Sequence, residues 1–400
     1  MANPSGQYSA IVVGGGAGGI AALGCLLDTL PRGSRIAWVD SNFKGGMINK
    51  HYREVPSNTI AQTFLDFGTG FESFRRVAKA SSEPNGLTEL AALEPKSTCS
   101  LHYAGDMLQT LTNGLLRDNS VVGLEGAARR LARSKVSSDW IVTFLAQNSR
   151  EFDLVAPIVV CCPGSNPKTV ELPLPRGREP REIPLLEALK PSRLDYHINK
   201  DAPTSVGVIG ASHSAILLLR NLFNLSRGSH PHLTVKWFTR HKELKYAQYM
   251  DGWILHDNTG LKGVAADFGR QYLEGDRLAQ SGAGDVITRV DCSGGPEKEK
   301  EAFLRDLTRC DSVVHAVGFE KLAFTPDDID VEFDDTTGGF VDSATREPVP
   351  GLFGAGIAFP EKVTDRAGNV EHAVGLFKFM KFLKRVVPEW VKAGQKPVKV

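Results

Sequence analysis

YSAIVVGGGAGGIAALGCLLDTLPRGSRIAWVD, residues 8–40, decides the fold class of this chain. Its β-branched apolar run predicts a strand, and the small residues after it predict a helix that leads to a second strand ending at Asp40. Between strand and helix, Gly14 permits a tight turn, Gly16 lets a pyrophosphate approach the backbone, and Gly19 lets the helix lie close to the sheet. Asp40 stands where a carboxylate accepts hydrogen bonds from ribose hydroxyls. The stretch predicts a dinucleotide-binding βαβ unit, with a purely structural glycine turn as the alternative.

A second unit follows two hundred residues later, in SVGVIGASHSAILLLRNL, residues 205–222. The three glycine positions of the first unit are filled here by Gly210, Ser212 and Ala215. The next strand, LTVKWFT, leads into three cations, Arg240, His241 and Lys242. A guanidinium suits a phosphate monoester, so we expect this unit to prefer NADPH to NADH. Ser212 crowds a pyrophosphate unless its hydroxyl donates to it, and a solvated basic strand end beside a degenerate repeat is the alternative.

The composition is that of an ordinary globular chain, with 42% hydrophobic and 23% charged residues among 400. The 47 basic and 46 acidic residues leave no charge excess for nucleic acid or an anionic membrane. Residues 10–27 are uncharged, but glycines interrupt them and no Lys or Arg precedes Arg32, so we expect neither a membrane span nor a signal sequence. We therefore expect a cytoplasmic enzyme that binds neither nucleic acid nor membrane.

The six cysteines include no CxxC pair. Cys161 and Cys162 end an apolar run and are interpreted as small buried hydrophobic residues. This argues against redox chemistry at a cysteine pair. We predict no metal site.

Two such units in one chain resemble the flavoproteins with two dinucleotide-binding domains, the pyridine-nucleotide oxidoreductase superfamily. The resemblance implies FAD in the first unit and NADPH in the second. IVVCCPGSNPK, residues 158–168, and SVVHAVGFE, residues 312–320, look like the two crossings between the domains, with Gly164 and Gly318 at their turns.

The resemblance implies an α/β fold with two Rossmann-like, three-layer domains, the NADPH domain inserted in the FAD domain. The FAD domain is expected over residues 1–190 and 321–400, and the NADPH domain over residues 200–320. The connection, residues 166–203, is rich in proline and charge.

GGMINKHYREVPSNTIAQTFLDF, residues 45–67, resembles the flavin-containing monooxygenase pattern. The matching residues are Gly45, Gly46, Tyr52, Val55, Asn58, Thr59, Phe64, Asp66 and Phe67. By this resemblance Asn58 lies beside the flavin and NADP⁺, where its amide binds both a carbonyl and a peroxide oxygen, and Gly46 and Met47 contact the cofactor. Ser57 or Asn58 as the N-cap of a helix is the alternative.

The C-terminal pattern PGLFGAGIAFPE, residues 350–361, has Gly356 where FAD proteins show Gly-Asp, with Ile357 in place of the aspartate. The run 369–387 predicts an amphipathic helix with its apolar side formed by Val374, Phe377, Phe382 and Val386. In relatives of this plan the helix starts under the flavin, which implies that N–H groups near Glu371 and His372 stabilise a reduced ring. His372 is either a proton donor or a structural histidine.

The chain departs from the monooxygenase pattern in two places. It lacks the Phe-x-Gly-x-x-x-His motif within residues 166–205 and has Ala61 in place of a lysine. N-hydroxylating relatives also lack that motif, and their Gly-x-Gly-Gln-Ser-Ala resembles residues 210–215.

The resemblance favours an NADPH-consuming, FAD-dependent monooxygenase that inserts one oxygen atom of O₂ into a small molecule, at nucleophilic nitrogen or sulfur, through a flavin C4a-(hydro)peroxide. A reductase that passes electrons to a quinone, an iron–sulfur protein or another acceptor is the first alternative, and a non-catalytic nucleotide sensor is the second. Residues 246–263, aromatic and polar, either line the substrate entrance or pack the domains together. The substrate is not identified by any pattern, and a homodimer is left open.

Overall fold

The glycine-rich stretch forms the strand Ala10–Val13, the helix Ala17–Thr29 and the strand Ile36–Asp40 in a computed structural model, which describes residues 6–394. Both strands are buried along nearly their whole length. Burial on both faces is typical of strands in a parallel sheet covered by helices, and it explains why the sequence shows continuous apolar runs there.

These strands lie in the middle of the first sheet, whose ten strands within residues 6–394 have a parallel centre with antiparallel pairs on both sides of it. The outermost strand Gly6–Gln7 pairs parallel with Glu151–Ala156. In spatial order they are Gly6–Gln7, Glu151–Ala156, Trp140–Ala146, Val121–Arg133, Ile36–Asp40, Ala10–Val13, Val159–Cys161, Pro348–Gly354, Gly339–Asp342 and Val331–Phe333. Because Pro348–Gly354 pairs with Val159–Cys161, the chain returns to this sheet after building the second one.

The second sheet is parallel throughout, and five strands of it lie within the described residues. In spatial order they are Arg181–Glu182, Ser312–His315, Thr204–Ile209, Leu233–Thr239 and Ile287–Asp291. The predicted α/β class with two Rossmann-like units is therefore confirmed. The strand Arg181–Glu182 and the helix Leu185–Ala188 belong to this second unit, so we propose that the insert begins near residue 181 rather than after residue 190.

The two predicted crossings lie side by side. Ser165–Pro167 pairs antiparallel with Phe319–Lys321. The chain therefore leaves the first unit and returns to it along two short strands that are hydrogen-bonded to each other. Three further short pairs are Pro56–Ile60 with Thr98–Ser100, Gln248–Met250 with Trp253–Leu255, and Lys362–Thr364 with Val370–His372.

Helices cover both sheets. In chain order they are Ala17–Thr29, Gly46–His51, Ala61–Gly68, Glu72–Ala80, Gly86–Ala91, Leu101–Leu115, Leu185–Ala188, Pro191–Leu194, His213–Arg227, Gly263–Phe268, Arg277–Gln280, Pro296–Asp306 and Leu376–Gly394, with short 3₁₀ or π turns at Asp195–His197, Gly269–Leu273, Ala283–Asp285 and Leu307–Arg309. None of these helices is long and apolar enough to cross a membrane, a finding that concerns residues 6–394.

The C-terminal helix Leu376–Gly394 packs on Ala17–Thr29, and both contribute to one apolar core. Phe382 and Val386 are buried as predicted, but Val374 is exposed and precedes the helix. The predicted helix start at residues 369–375 is wrong, because Val370–His372 pairs with Lys362–Thr364 as a strand.

Candidate active site

The glycine turn of the first unit contains two glycines that the fold itself requires. Gly14 has φ +114°, and a Cβ there would lie 2.1 Å from the carbonyl oxygen of Cys162. A Cβ on Gly19 would lie 1.9 Å from the carbonyl oxygen of Gly14. Such distances are impossible, so both glycines serve the close packing of helix and strands whether or not a ligand is present.

Gly16 differs from them, because neither its backbone nor its surroundings require glycine. Its φ of −84° and ψ of −176° suit any residue, and an added Cβ would meet only the Cα of Gly46, at 3.7 Å. Gly16 is the N-cap of Ala17–Thr29, which has no side-chain cap and no acid in its first turn within the described chain. Free N–H groups and an unfilled space at a helix start fit a pyrophosphate.

Two other predicted glycines, Gly46 and Gly356, lie close to the backbone of this turn. A Cβ on Gly46, whose φ is +71°, would lie 2.5 Å from the Cα of Gly16. A Cβ on Gly18 would lie 2.7 Å from the Cα of Gly356. The pattern at residues 45–47 and the C-terminal pattern at Gly356 therefore converge on one helix start, far apart as they are in sequence.

Asp40 is held by the backbone rather than left free. Its Oδ2 accepts a hydrogen bond of 2.7 Å from the N–H of Gly15, and its Oδ1 accepts bonds from the N–H groups of Asn42 and Phe43, at 3.0 and 2.8 Å. The carboxylate thus orders the glycine turn, and only its remaining lone pairs are left for ribose hydroxyls.

The second unit repeats the first in atomic detail. Ser212 is the N-cap of His213–Arg227, and its φ of −86° and ψ of −176° match those of Gly16. The indole N–H of Trp237 donates to the carbonyl of Gly210 at 2.7 Å, as that of Trp38 donates to the carbonyl of Gly14 at 3.0 Å. Serine therefore fits its position without backbone strain.

A cavity of about 590 Å³ lies above this second turn, lined by Gly210, Ser212, Arg240 and His241 among others. The guanidinium of Arg240 donates from Nε and Nη2 to the two carboxylate oxygens of Glu299, at 2.8 and 2.7 Å. Glu299 lies on the helix Pro296–Asp306 and also lines the cavity. A phosphate that binds Arg240 must therefore compete with the carboxylate of Glu299. The sequence did not reveal this competition.

A second cavity, of about 390 Å³, lies between the two units. The predicted residues Gly16, Met47, Asn58, Gly164 and Gly356 line it. Lining residues from the second unit, which the sequence reasoning missed, are His213, Ser214 and Leu217. His213 directly follows Ser212 at the start of the helix. It stands where the related Gly-x-Gly-Gln-Ser-Ala pattern has its glutamine, and this correspondence is the signal from which the sequence could have found it.

Asn58 lies in the strand Pro56–Ile60 and is exposed. The helix that follows begins at Ala61 with Ile60 as its N-cap and no side-chain cap, so the capping alternative for Ser57 and Asn58 is wrong. The Oδ1 of Asn58 accepts a bond of 3.2 Å from the Oγ1 of Thr59. Asn58 is thus available to a ligand in the cavity.

Glu371 and His372 do not lie where the resemblance implied. Glu371 is buried and accepts bonds from the backbone N–H and the Nδ2 of Asn258, at 2.9 and 3.2 Å, and from the hydroxyl of Thr259. Burial alone would raise the pKa of Glu371, but these bonds lower it. His372 is exposed in the strand. The helix N–H groups next to the cavity belong instead to the turn at Gly375 and Leu376.

The segment 246–263 therefore packs the units together rather than lining this cavity. Asp257 of that segment pairs with Lys262 and with Lys378, the latter at 2.6 Å. Together with the bonds to Glu371, these contacts tie the second unit to the C-terminal part of the first.

Cys161 and Cys162 are buried, as predicted. Burial raises the pKa of Cys162 to about 12 and that of Cys161 well above its ordinary value. Both remain thiols at neutral pH, so they pack as small apolar side chains.

Known proteins resemble this chain in sequence and in fold. Monooxygenase AgnR1 from Paecilomyces divaricatus is 46% identical to this chain over 393 residues, which are 97% of this chain and 99% of that protein. This chain belongs to that monooxygenase family. No family model matches the chain. The predicted relationship to flavoprotein monooxygenases is confirmed, and the chain is a flavoprotein oxidoreductase by family.

Two solved structures have the same fold over nearly the whole chain. The cadaverine monooxygenase DfoA of Erwinia amylovora, solved with FAD bound, has a TM-score of 0.62 and 11% identity and covers 99% of this chain and 97% of its own. The ornithine hydroxylase PvdA of Pseudomonas aeruginosa has a TM-score of 0.61 and 13% identity and covers 97% of this chain and 100% of its own. At such identities the likeness concerns the fold.

Proposed function

We propose that the protein is an FAD-dependent, NADPH-consuming monooxygenase that transfers one atom of O₂ to a small organic molecule, at a nucleophilic nitrogen or sulfur. The observation that carries the proposal is the 390 Å³ cavity, where the helix start at Gly16 and the side chain of Asn58 face residues from the second helix start, His213 and Ser214. Membership of the monooxygenase family supports oxygen transfer over simple electron transfer.

FAD fits the first unit, because Gly16 leaves a space that the fold does not need and the helix start offers unpaired N–H groups. In this proposal the residues that hold FAD are Gly14, Gly16, Gly19, Asp40, Gly46, Met47, Asn58, Gly164 and Gly356. The residues that hold NADPH are Gly210, Ser212, Ala215, Arg240, His241 and Lys242. When bound, these cofactors supply the electrons and the oxygen-activating chemistry.

The chain's own contribution is to bind, orient and exclude water. Leu217, Leu376 and Phe379 are buried and give the cavity an apolar wall, which keeps water from the reacting groups. The amide of Asn58 offers both a donor and an acceptor at the same wall.

The proposal is tested with purified yellow protein and an aryl thioether, methyl phenyl sulfide. We expect NADPH to bleach the flavin absorbance without oxygen, and ¹⁸O₂ then to place ¹⁸O in the sulfoxide. A reductase would be bleached equally but would yield hydrogen peroxide and no labelled sulfoxide. Absence of bleaching would contradict both enzymes and favour a nucleotide sensor.

A further inference from the structure

Two contact regions of different chemistry hold the second unit against the first. Because two short paired strands connect the units, their relative orientation depends on such contacts. In one region, Val55 of the first unit is buried in the apolar core of the second. In the other, Glu371 and Lys378 of the first unit bind the segment 257–259 of the second through polar groups. Apolar contact has no preferred direction, whereas hydrogen bonds do, so the polar region is the one that fixes the orientation.

Glu371 is the centre of the polar region, and its side chain is only 7% exposed. Its Oε2 accepts hydrogen bonds from the backbone N–H and the Nδ2 of Asn258, at 2.9 and 3.2 Å, and its Oε1 accepts one from the hydroxyl of Thr259. All three of these donors belong to two consecutive residues of the second unit. A buried carboxylate of one unit is thus stabilised by donors of the other.

Burial makes this contact specific for one arrangement of the units. A carboxylate removed from water is stable only while its hydrogen bonds are formed, and the loss of its partners is strongly destabilising. The bonds lower the pKa of Glu371 although burial alone would raise it, so the group is ionised at neutral pH. A rotation of the second unit that lengthens the bonds by about 1 Å would leave this charge buried without partners.

Lys378 holds the same segment from a second direction. Its ammonium donates to the Oδ1 of Asn258 at 2.6 Å and pairs with Asp257 at 2.6 Å. The side chain of Asn258 is therefore bound at its oxygen by Lys378 and at its nitrogen by Glu371. Because one partner lies on a strand and the other on a helix, the segment cannot slide along either element without breaking a bond.

These contacts lie next to the 390 Å³ cavity between the units. Residues 374–376, which lie between Glu371 and Lys378 in the chain, line it from the first unit. The helix that begins at His213 lines it from the second unit. Glu371 and Lys378 therefore set the distance between the wall assigned to FAD and the helix start assigned to NADPH.

A second acid also joins the units, but it is exposed. Glu54 accepts a hydrogen bond of 3.0 Å from the backbone N–H of Ser192 and another from its hydroxyl. Water replaces such bonds at little cost when an exposed contact opens. Glu54 is therefore the matched control for Glu371, since it has the same charge and the same direction of contact without the burial.

We propose that Glu371 is a positioning residue for electron transfer, because it holds the second unit in the orientation that brings the coenzyme site to the flavin site. The inference rests on the proposed function and adds the residue that aligns its two cofactor sites. The step it serves moves a hydride, which is one proton with two electrons, from NADPH to FAD and leaves NADP⁺ and reduced FAD. Glu371 acts through the orientation of the second unit and takes no part in these bond changes.

Glu371→Gln and Glu54→Gln each remove one carboxylate and keep the size of the side chain. With oxygen excluded and NADPH saturating, we expect flavin bleaching to slow about tenfold or more in Glu371→Gln, because a misplacement of about 1 Å can cost a hundredfold in rate. In Glu54→Gln the rate should change by less than about twofold. FAD content and the affinity for 2′,5′-ADP, which the second unit binds alone in the proposed arrangement, should match the parent protein in both variants.

The donor side of the contact offers a second pair of variants. Thr259→Val removes the hydroxyl donor at nearly constant volume, whereas Thr259→Ser keeps it. We expect Thr259→Val to slow bleaching about threefold and Thr259→Ser to retain the parent rate. Equal rates in these two variants would refute the proposal, and they decide it by themselves if Glu371→Gln does not fold.

The orientation of the units is measured without turnover, by the distance between two spin labels. The labels are attached at Lys79→Cys and Asn224→Cys, exposed helical positions of the first and second unit, with Cys99→Ser because the other five cysteines are buried. We expect one narrow distance distribution in the parent protein and in Glu54→Gln, and a broader one in Glu371→Gln. Slow bleaching of Glu371→Gln with the parent distribution would overturn the proposal, and so would bleaching at the parent rate.

Failure of the proposed function is seen separately. A parent protein that NADPH bleaches but that yields no ¹⁸O-labelled sulfoxide would refute oxygen transfer, while slow bleaching and a broadened distribution in Glu371→Gln would still establish the positioning role. A parent protein that NADPH does not bleach would refute both.

Discussion

Coenzyme selection depends on a competition at Arg240. Its guanidinium already forms two hydrogen bonds with the carboxylate of Glu299. The binding free energy that a 2′-phosphate gains at Arg240 is therefore that of its own contact minus that of the lost contact with Glu299. Charge-assisted hydrogen bonds to a phosphate are worth ~1.5–3 kcal/mol. The Arg240 side chain is 69% exposed, so the pair that must be given up is worth about 0.5–1 kcal/mol. The net contribution of Arg240 to phosphate binding is then ~1–2 kcal/mol.

Two substitutions should therefore move affinity in opposite directions. Arg240→Ala should weaken NADP⁺ binding ~5- to 30-fold, and Glu299→Gln, which removes the competing charge, should tighten it ~2- to 5-fold. NAD⁺ lacks the phosphate and should be unaffected by either change. Calorimetric titration of both nucleotides against both variants and the parent protein measures all six affinities.

The reasoning has two points of failure. If Arg240→Ala weakens the binding of NAD⁺ as much as that of NADP⁺, Arg240 supports the strand end and does not select the phosphate. If Glu299→Gln weakens the binding of NAD⁺ instead of tightening that of NADP⁺, the carboxylate of Glu299 binds the ribose hydroxyl, and the unit selects NADH. Rising salt should reduce the NADP⁺ advantage of the parent protein, because the contact is exposed.

Three further predictions concern other residues. Gly16→Val should fold with the melting temperature of the FAD-free parent protein, since a Cβ there meets only the Cα of Gly46, at 3.7 Å, yet purify without yellow colour because the side chain obstructs the pyrophosphate; equal FAD content would refute this. Asn58→Ala should keep FAD and NADPH-driven bleaching but release hydrogen peroxide in place of oxygenated product; loss of FAD or of folding would contradict the assigned role. Cys162, with its pKa raised to about 12, is a thiolate in only about one molecule in ten thousand at pH 8, so iodoacetamide should not inactivate the enzyme there, and rapid inactivation would disprove its burial.

The sequence alone determined those features that depend on local chemistry. A strand, a glycine turn and a helix follow each other within thirty residues, so the first unit could be predicted with its turn at Gly14 and its acid at Asp40. The second unit could be predicted in the same way, and its cations follow the strand directly. The two crossings were also visible, because each is a short apolar strand that ends in a glycine turn.

Tertiary structure decided what depends on groups that are distant in sequence. No local pattern pairs Arg240 with Glu299, fifty-nine residues away, or brings His213 to the cavity wall beside Asn58. Apolar periodicity favoured a helix at residues 369–375, yet pairing with Lys362–Thr364 and the bonds from Asn258 and Thr259 to Glu371 make it a strand. Periodicity records which side chains are apolar, whereas backbone pairing and charge compensation are settled only when distant segments meet.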